Sequence, residues 1–88
     1  MAWKIEYSRS ALSELKKLDK SETRRIVNYM SDRISCLDDP RSAGKSLTGN
    51  LNELWRYRVG NYRIVTEIQD QTICILVLRV GHRKDVYK

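Results

Sequence analysis

Arg56, Arg58 and Arg63 are the side chains of this chain whose type and spacing could do chemistry. They sit in the stretch Leu54-Trp55-Arg56-Tyr57-Arg58-Val59-Gly60-Asn61-Tyr62-Arg63-Ile64-Val65, where polar and apolar residues alternate on both sides of Gly60-Asn61. Alternation of period two predicts strands, and a two-residue turn rich in Gly and Asn predicts a β-hairpin. The turn sets Val59 opposite Tyr62 and Arg58 opposite Arg63. Because side chains alternate faces along a strand, Trp55, Tyr57, Val59, Tyr62 and Ile64 share a core face, and the three arginines share the other. Like charges directly opposed across a ladder cost roughly 0.2–1 kcal/mol per pair. Glu67 falls on the same face by parity, but one carboxylate cannot neutralise three guanidiniums. The patch is expected to receive a polyanion.

The whole chain agrees with that expectation. Its 88 residues carry 17 Lys and Arg against 11 Asp and Glu, a formal charge of +6, which favours an anionic partner such as nucleic acid or an acidic protein. That length supports one domain, spanning residues 1–88, with one modest core. A hydrophobic content of 41% with 32% charged residues is that of a folded chain rather than a disordered one. Cys36 and Cys74 lack metal-ligand spacing and the chain has a single histidine, so no metal is expected. Both thiols are expected to be buried, free and reduced. The first residues lack the apolar core of a signal peptide, and the longest apolar run, residues 73–78, is too short to span a bilayer. A cytoplasmic protein with no membrane partner is expected.

The elements that must position the arginines follow in order. Residues 2–7 alternate, with Trp3, Ile5 and Tyr7 on one side, as a short strand does. Ser8 can cap a helix with apolar positions Ala11, Leu12, Leu15 and Leu18. The segment 19–22 is a break and a new cap, after which Ile26, Val27, Met30, Ile34 and Leu37 form a second helical stripe. Lys16, Lys17, Lys20, Arg24 and Arg25 read as the solvated face of this helical hairpin. A DNA-reading helix-turn-helix is disfavoured because the second stripe is wanted for packing on a sheet. Pro40 ends the second helix. In the loop 41–49, Gly44-Lys45-Ser46 looks like a phosphate-binding loop, but Asp39 occupies the place of its first glycine and no strand precedes it. After the hairpin a strand runs to about Ile68, and Asp70-Gln71 makes a turn. Residues 72–80 then form a β-branched strand, apolar on both faces and so interior. Gly81 is expected to release the chain from the sheet, leaving His82 in a surface turn. The fold class is α+β, β-α-α-β-β-β, with a two-helix hairpin packed on one face of a mainly antiparallel sheet.

Three blocks, Lys45-Ser46-Leu47-Thr48-Gly49, residues 54–65, and Val80-Gly81-His82-Arg83-Lys84-Asp85-Val86-Tyr87, together resemble the RelE/ParE superfamily of bacterial toxins. The likeness spans essentially the whole chain and implies the RelE-like, microbial-RNase-like form of the α+β fold. It also implies a toxin neutralised by a cognate RelB-like antitoxin. The RelE branch implies an endoribonuclease that cuts mRNA in the ribosomal decoding site, the RNA 2′-hydroxyl attacking the adjacent phosphate without a metal or other cofactor. The ParE branch implies a gyrase inhibitor that cuts nothing itself. On the RelE pattern Arg56 and Arg63 would hold the scissile phosphate and Arg83 would serve the leaving 5′-oxygen. Tyr87 would stack on the nucleotide. Lys45 and Lys84 would join these arginines in contacting RNA. The best-known RelE has lysine where this chain has Arg56 and Arg58. An arginine is essentially never deprotonated, so Arg58 reads as an electrostatic clamp. The base is then His82, or is supplied by ribosome and substrate.

Overall fold

The computed structural model describes residues 2–47 and 54–82. Strand β1 (Lys4–Tyr7) leads into helix α1 (Arg9–Lys16) and helix α2 (Lys20–Asn28). Four further strands follow: β2 (Lys45–Ser46), β3 (Leu54–Val59), β4 (Tyr62–Gln69) and β5 (Cys74–His82). They make one sheet in the order β1-β5-β4-β3-β2, in which β1 runs parallel to β5 and the other neighbours are antiparallel. The expected α+β arrangement holds, with one edge strand more than the sequence suggested. A strand of two residues is too short to leave a readable alternation.

Each helix is set by local chemistry. Ser8 caps α1 as expected, its Oγ accepting from the Ala11 amide at 3.1 Å while donating to the Leu78 carbonyl at 2.9 Å. One hydroxyl thereby starts the helix and ties it to β5. Asp19 precedes α2 without a side-chain capping bond. A π-helical turn, Tyr29–Ile34, then continues α2, and the Ser35 amide donates back to the Met30 carbonyl at 2.8 Å. The wider turn swings Ser35 onto the outer edge of β1, where its carbonyl accepts from the Trp3 amide at 2.8 Å and its hydroxyl donates to the Trp3 carbonyl. The residue that leads into β1 is thereby tied to the end of the helical hairpin.

The core lies between the helices and one face of the sheet. Ala11, Leu15, Ile26, Met30 and Ile34 meet Tyr57, Val59, Ile64, Ile68, Ile75, Val77 and Val80, all buried. Leu12 departs from its expected stripe and is 46% exposed. Cys36 also departs from expectation, being exposed in the turn after α2, whereas Cys74 is buried. No helix among the described residues is long and apolar enough to cross a membrane.

Strand β5 differs most from its sequence reading. It begins two residues later than expected, after a turn in which Ile73 holds φ 50°, and it continues through Gly81 to His82. Val65 pairs with Arg79 but Thr66 pairs with Val77, so Leu78 is an extra residue in a β-bulge. The bulge shifts the parity of β5, which is why Ile75 and Val77 face the core and so does Val80 three residues on. Beyond the end of β1, the Glu14 carboxylate accepts from the Val80 amide at 2.8 Å and pairs with Arg79 at 3.1 Å, covering the open edge of β5.

Removing the doubly bonded capping hydroxyl should be felt globally. Ser8→Ala should cost about 1–2 kcal/mol, the scale of a lost N-cap together with a second hydrogen bond. Thermal unfolding followed by circular dichroism should show a midpoint lower by roughly 4–8 °C per kcal/mol for a domain of this size.

Candidate active site

The hairpin has the register expected of it. Val59 pairs with Tyr62, Arg58 with Arg63, Tyr57 with Ile64 and Arg56 with Val65, and Gly60 opens the turn at φ 59°. Glycine adopts that left-handed conformation without the steric cost other residues bear. The Arg25 guanidinium of α2 lies over the turn, within 3.0–3.4 Å of where a side chain on Gly60 would begin.

Arg56, Arg58 and Arg63 therefore share the face of the sheet away from the helices. They line a pocket of about 290 Å³ with Gly44, Lys45 and Tyr57. Lys45 reaches it because β2 pairs with β3 in a register that sets Lys45 directly opposite Arg56. Two like-charge pairs, Lys45 with Arg56 and Arg58 with Arg63, thus stand side by side. Arg58 is exposed and Arg56 half-buried, whereas Arg63 is 3% exposed, held in the middle of the sheet. Gly81 stands opposite Arg63 on β5 and presents no side chain to it. Among the described residues, Lys45 and Arg58 take part in no ion pair. Glu67 lies four residues beyond Arg63, about 13 Å along a strand rising 3.3 Å per residue, and it accepts from Gln69 Nε2 at 2.9 Å.

The segment that delivers Lys45 is fastened at successive points. Arg41 makes a two-pronged ion pair with Asp70, at 2.9 and 3.0 Å, which holds the Asp70 carboxyl below its ordinary range. The Tyr57 hydroxyl donates to the Pro40 carbonyl and the Trp55 indole to the Ala43 carbonyl, each at 2.6 Å. Burial pushes the Tyr57 phenol well above its ordinary value, so it stays protonated as a donor. Gly44 follows at φ 73°, in a notch where any side chain would run into the Arg56 carbonyl oxygen and the rings of Tyr57 and Trp55. Sequence reasoning placed Trp55 and Tyr57 in the core but missed this second task. The available signal was that a buried indole or phenol must find a partner for its polar tip.

His82 is not brought to the pocket. It pairs with Tyr62, on the helix side of the sheet, and the two rings meet edge to face with centroids 5.9 Å apart. The bulge at Leu78 fixes this outcome, since it decides which residues near the end of β5 point to which face. Arg83, Lys84 and Tyr87 lie outside the described residues. No cluster of three or more potential metal-binding side chains occurs among the described residues.

A family model described as the ParE toxin of the type II toxin–antitoxin system parDE matches residues 5–87. The chain belongs to this toxin family. Within the wider RelE/ParE superfamily, Toxin RelG of Mycobacterium tuberculosis is 28% identical over 88 residues, covering 100% of this chain and 99% of that protein. The RelBE2 toxin–antitoxin complex of the same organism contains a chain that superposes with a TM-score of 0.85 at 27% identity, over 97% of this chain and 95% of that one. The toxin in the intact Escherichia coli RelBE complex shares the fold, with a TM-score of 0.73 at 20% identity over 92% of this chain and 96% of that one. In this member of the ParE toxin family, the pocket is built from four cations on a rigid sheet with a fastened strap beside it.

The strap can be tested at its tightest point. Gly44→Ala would set a side chain against the Arg56 backbone in a conformation that L residues rarely adopt, so β2 must shift or detach. A loss of about 1–3 kcal/mol is expected from strain and steric conflict together. Denaturant unfolding should detect it, with amide exchange protection lost at Lys45 and Ser46 before the rest of the sheet.

Proposed function

We propose that this toxin is a ribosome-dependent endoribonuclease that cleaves mRNA in the decoding site, held inactive in the cell by a RelB-like antitoxin. The observation that carries the reading is the convergence of Lys45, Arg56, Arg58 and Arg63 on one pocket, in two directly opposed like-charge pairs. Four cationic side chains gathered on one pocket form a site of positive potential suited to a polyanion. The complexes containing RelB and RelE-type relatives support an antitoxin of that kind.

In the reaction, the 2′-hydroxyl attacks the adjacent phosphorus and the bond to the 5′-oxygen breaks, giving a cyclic phosphate and a free 5′-hydroxyl. Charge accumulates on the phosphoryl oxygens in the transition state. Donors fixed in advance, as Arg63 is by burial and Arg56 by partial burial, stabilise that charge without reorganising. Arg58, exposed at the mouth, draws the backbone in and clamps it. By the resemblance of the last block, Arg83 serves the leaving 5′-oxygen and Tyr87 the nucleotide base. His82, on the far side of the sheet, is no longer a candidate for the base. The reaction needs no metal when cations of this kind neutralise the phosphorane.

The description of the matching family model favours a second reading, a ParE-type inhibitor of DNA gyrase that acts by binding. The two part in one experiment. Incubated with programmed ribosomes, the protein should cut mRNA within the decoding-site codon. Intact message, with double-strand breaks in the DNA of expressing cells, would assign it to gyrase.

Arg58→Ala is the informative variant because Arg58 is exposed, whereas truncating buried Arg63 would disturb the sheet as well as the chemistry. Cleavage should fall by about 10- to 100-fold, the scale of losing one charge-assisted hydrogen bond to the RNA backbone. Stability should stay within about 0.5 kcal/mol of wild type, as for other exposed surface substitutions. Single-turnover cleavage and urea unfolding on the same preparation measure both.

A further inference from the structure

The cations of the helical hairpin read from sequence as a solvated face, and Arg25 departs from that reading. It sits on α2 and is exposed, yet its guanidinium lies over the Gly60 turn. Nη1, Cζ and Nη2 are 3.0, 3.2 and 3.4 Å from the point where a side chain on Gly60 would begin. Three nearly equal distances mean that the flat group faces the turn broadside. Its N–H bonds lie in that plane, so they are directed past the turn and not into it. A β-carbon at position 60 would crowd the guanidinium, so the glycine serves this stack as well as the left-handed turn.

A simpler partner stands close by in sequence. Glu22 precedes Arg25 by three residues on the same helix, a spacing at which opposite charges ordinarily meet. Among the described residues, Arg25 forms no ion pair with it and no side-chain hydrogen bond to any group. The stack thus orders a guanidinium while leaving its donors open. Ordering a long side chain costs conformational entropy, and here that cost is met before any ligand arrives. A planar fork held ready in this way suits two-pronged recognition of a phosphate. Its position suits the same task. Gly60 lies two residues beyond Arg58, about 7 Å along a strand rising 3.3 Å per residue, and Arg58 stands opposite Arg63. Arg25 therefore carries the positive surface of the pocket onward to the tip of the hairpin.

We infer that Arg25 forms a second contact site for an RNA phosphodiester, outside the pocket and at the tip of the β3–β4 hairpin. This rests on the reading of the pocket as an RNA site, and it adds a contact that holds RNA without touching the reacting atoms. The phosphodiester belongs either to the message in the pocket or to the ribosomal RNA around it.

Binding is measured by co-sedimentation with two kinds of ribosome. One carries an mRNA whose cleaved nucleotide lacks its 2′-hydroxyl, so that no cleavage intervenes, and the other carries no message. Single-turnover cleavage of intact message is followed against ribosome concentration. Arg25→Ala should bind about 10-fold more weakly, the scale of one charge-assisted contact. The slope of log affinity against log salt should shrink by about 1. The ribosome concentration for half-maximal cleavage should rise by the same factor as the affinity falls, with the rate at saturation unchanged. Arg25→Lys should restore the salt slope but only part of the affinity, because an ammonium carries the charge without the fork. A deficit confined to message-bearing ribosomes assigns the phosphodiester to mRNA, and an equal deficit on empty ones assigns it to ribosomal RNA. Wild-type affinity and salt slope in Arg25→Ala would overturn the inference. So would an unchanged salt slope together with a lowered saturating rate and a lowered urea midpoint, the mark of a guanidinium that only braces the turn. Wild-type protein that binds ribosomes but cuts nothing would remove the nuclease reading, while the binding comparison still decides Arg25. Wild-type protein that binds no ribosomes would remove both.

Discussion

The register of one hairpin governs this molecule. With Gly60 opening the turn, every residue of β3 and β4 is committed to a face, and a slip of one residue would exchange the faces completely. Arginines would then be driven into the helix-packed core while Tyr57, Val59 and Ile64 met water. Burial of Tyr57, Val59, Ile64 and Ile68 therefore does two things at once. It supplies the hydrophobic stabilisation of the sheet, and it holds Arg58 opposite Arg63 against their repulsion. The core contributes far more than that repulsion costs, since a single buried side chain of this size is worth about 1.5–3 kcal/mol against roughly 0.2–1 for a like-charge pair.

The second constraint is how a fourth cation reaches the same face from another part of the chain. The residues before β2 have little regular structure of their own, only a 3₁₀ turn at Pro40–Ser42. Order is imposed on them from the sheet. Trp55 and Tyr57 present apolar bodies to the core and polar tips to two carbonyls of the strap, while Arg41 pins it to the β4–β5 turn through Asp70. Core and pocket thus share the same side chains. Damage to the packing of β3 should reach Lys45 without any change to the pocket itself.

Much of this was legible in the sequence because it depends on local periodicity. The hairpin, its turn and its two faces follow from alternation about Gly60-Asn61, and the start of α1 from Ser8. The helical stripes gave the core residues Ala11, Leu15, Ile26, Met30 and Ile34. What could not be read are features set by tertiary contact. The bulge at Leu78 leaves no mark in a strand that is apolar on both faces, and it moved His82 to the wrong side for the chemistry first considered for it. The two residues of β2 carry no periodic signal, so Lys45 could be named as a contact for RNA only through the family resemblance. Its place opposite Arg56 needed coordinates. Leu12 was expected inside on helical spacing and Cys36 as a small buried thiol, but both are exposed.

The opposed cations also bear on how such a protein is restrained. Any anionic ligand that binds the folded state at the pocket stabilises that state. A phosphate backbone can do this, and so can the carboxylates of an acidic protein segment. On the proposed function, substrate and antitoxin draw on the same electrostatic reserve, so an antitoxin that places acidic side chains against Lys45, Arg56, Arg58 and Arg63 blocks RNA by occupying its charge sites. It need not deform the sheet. Exposed charges such as Arg58 are screened by salt, with a Debye length of about 8 Å at physiological ionic strength, whereas Arg63 in the middle of the sheet is shielded much less. Encounter with either ligand is therefore governed by the rim of the pocket and its salt sensitivity. The strength of the final complex depends on groups that salt scarcely reaches.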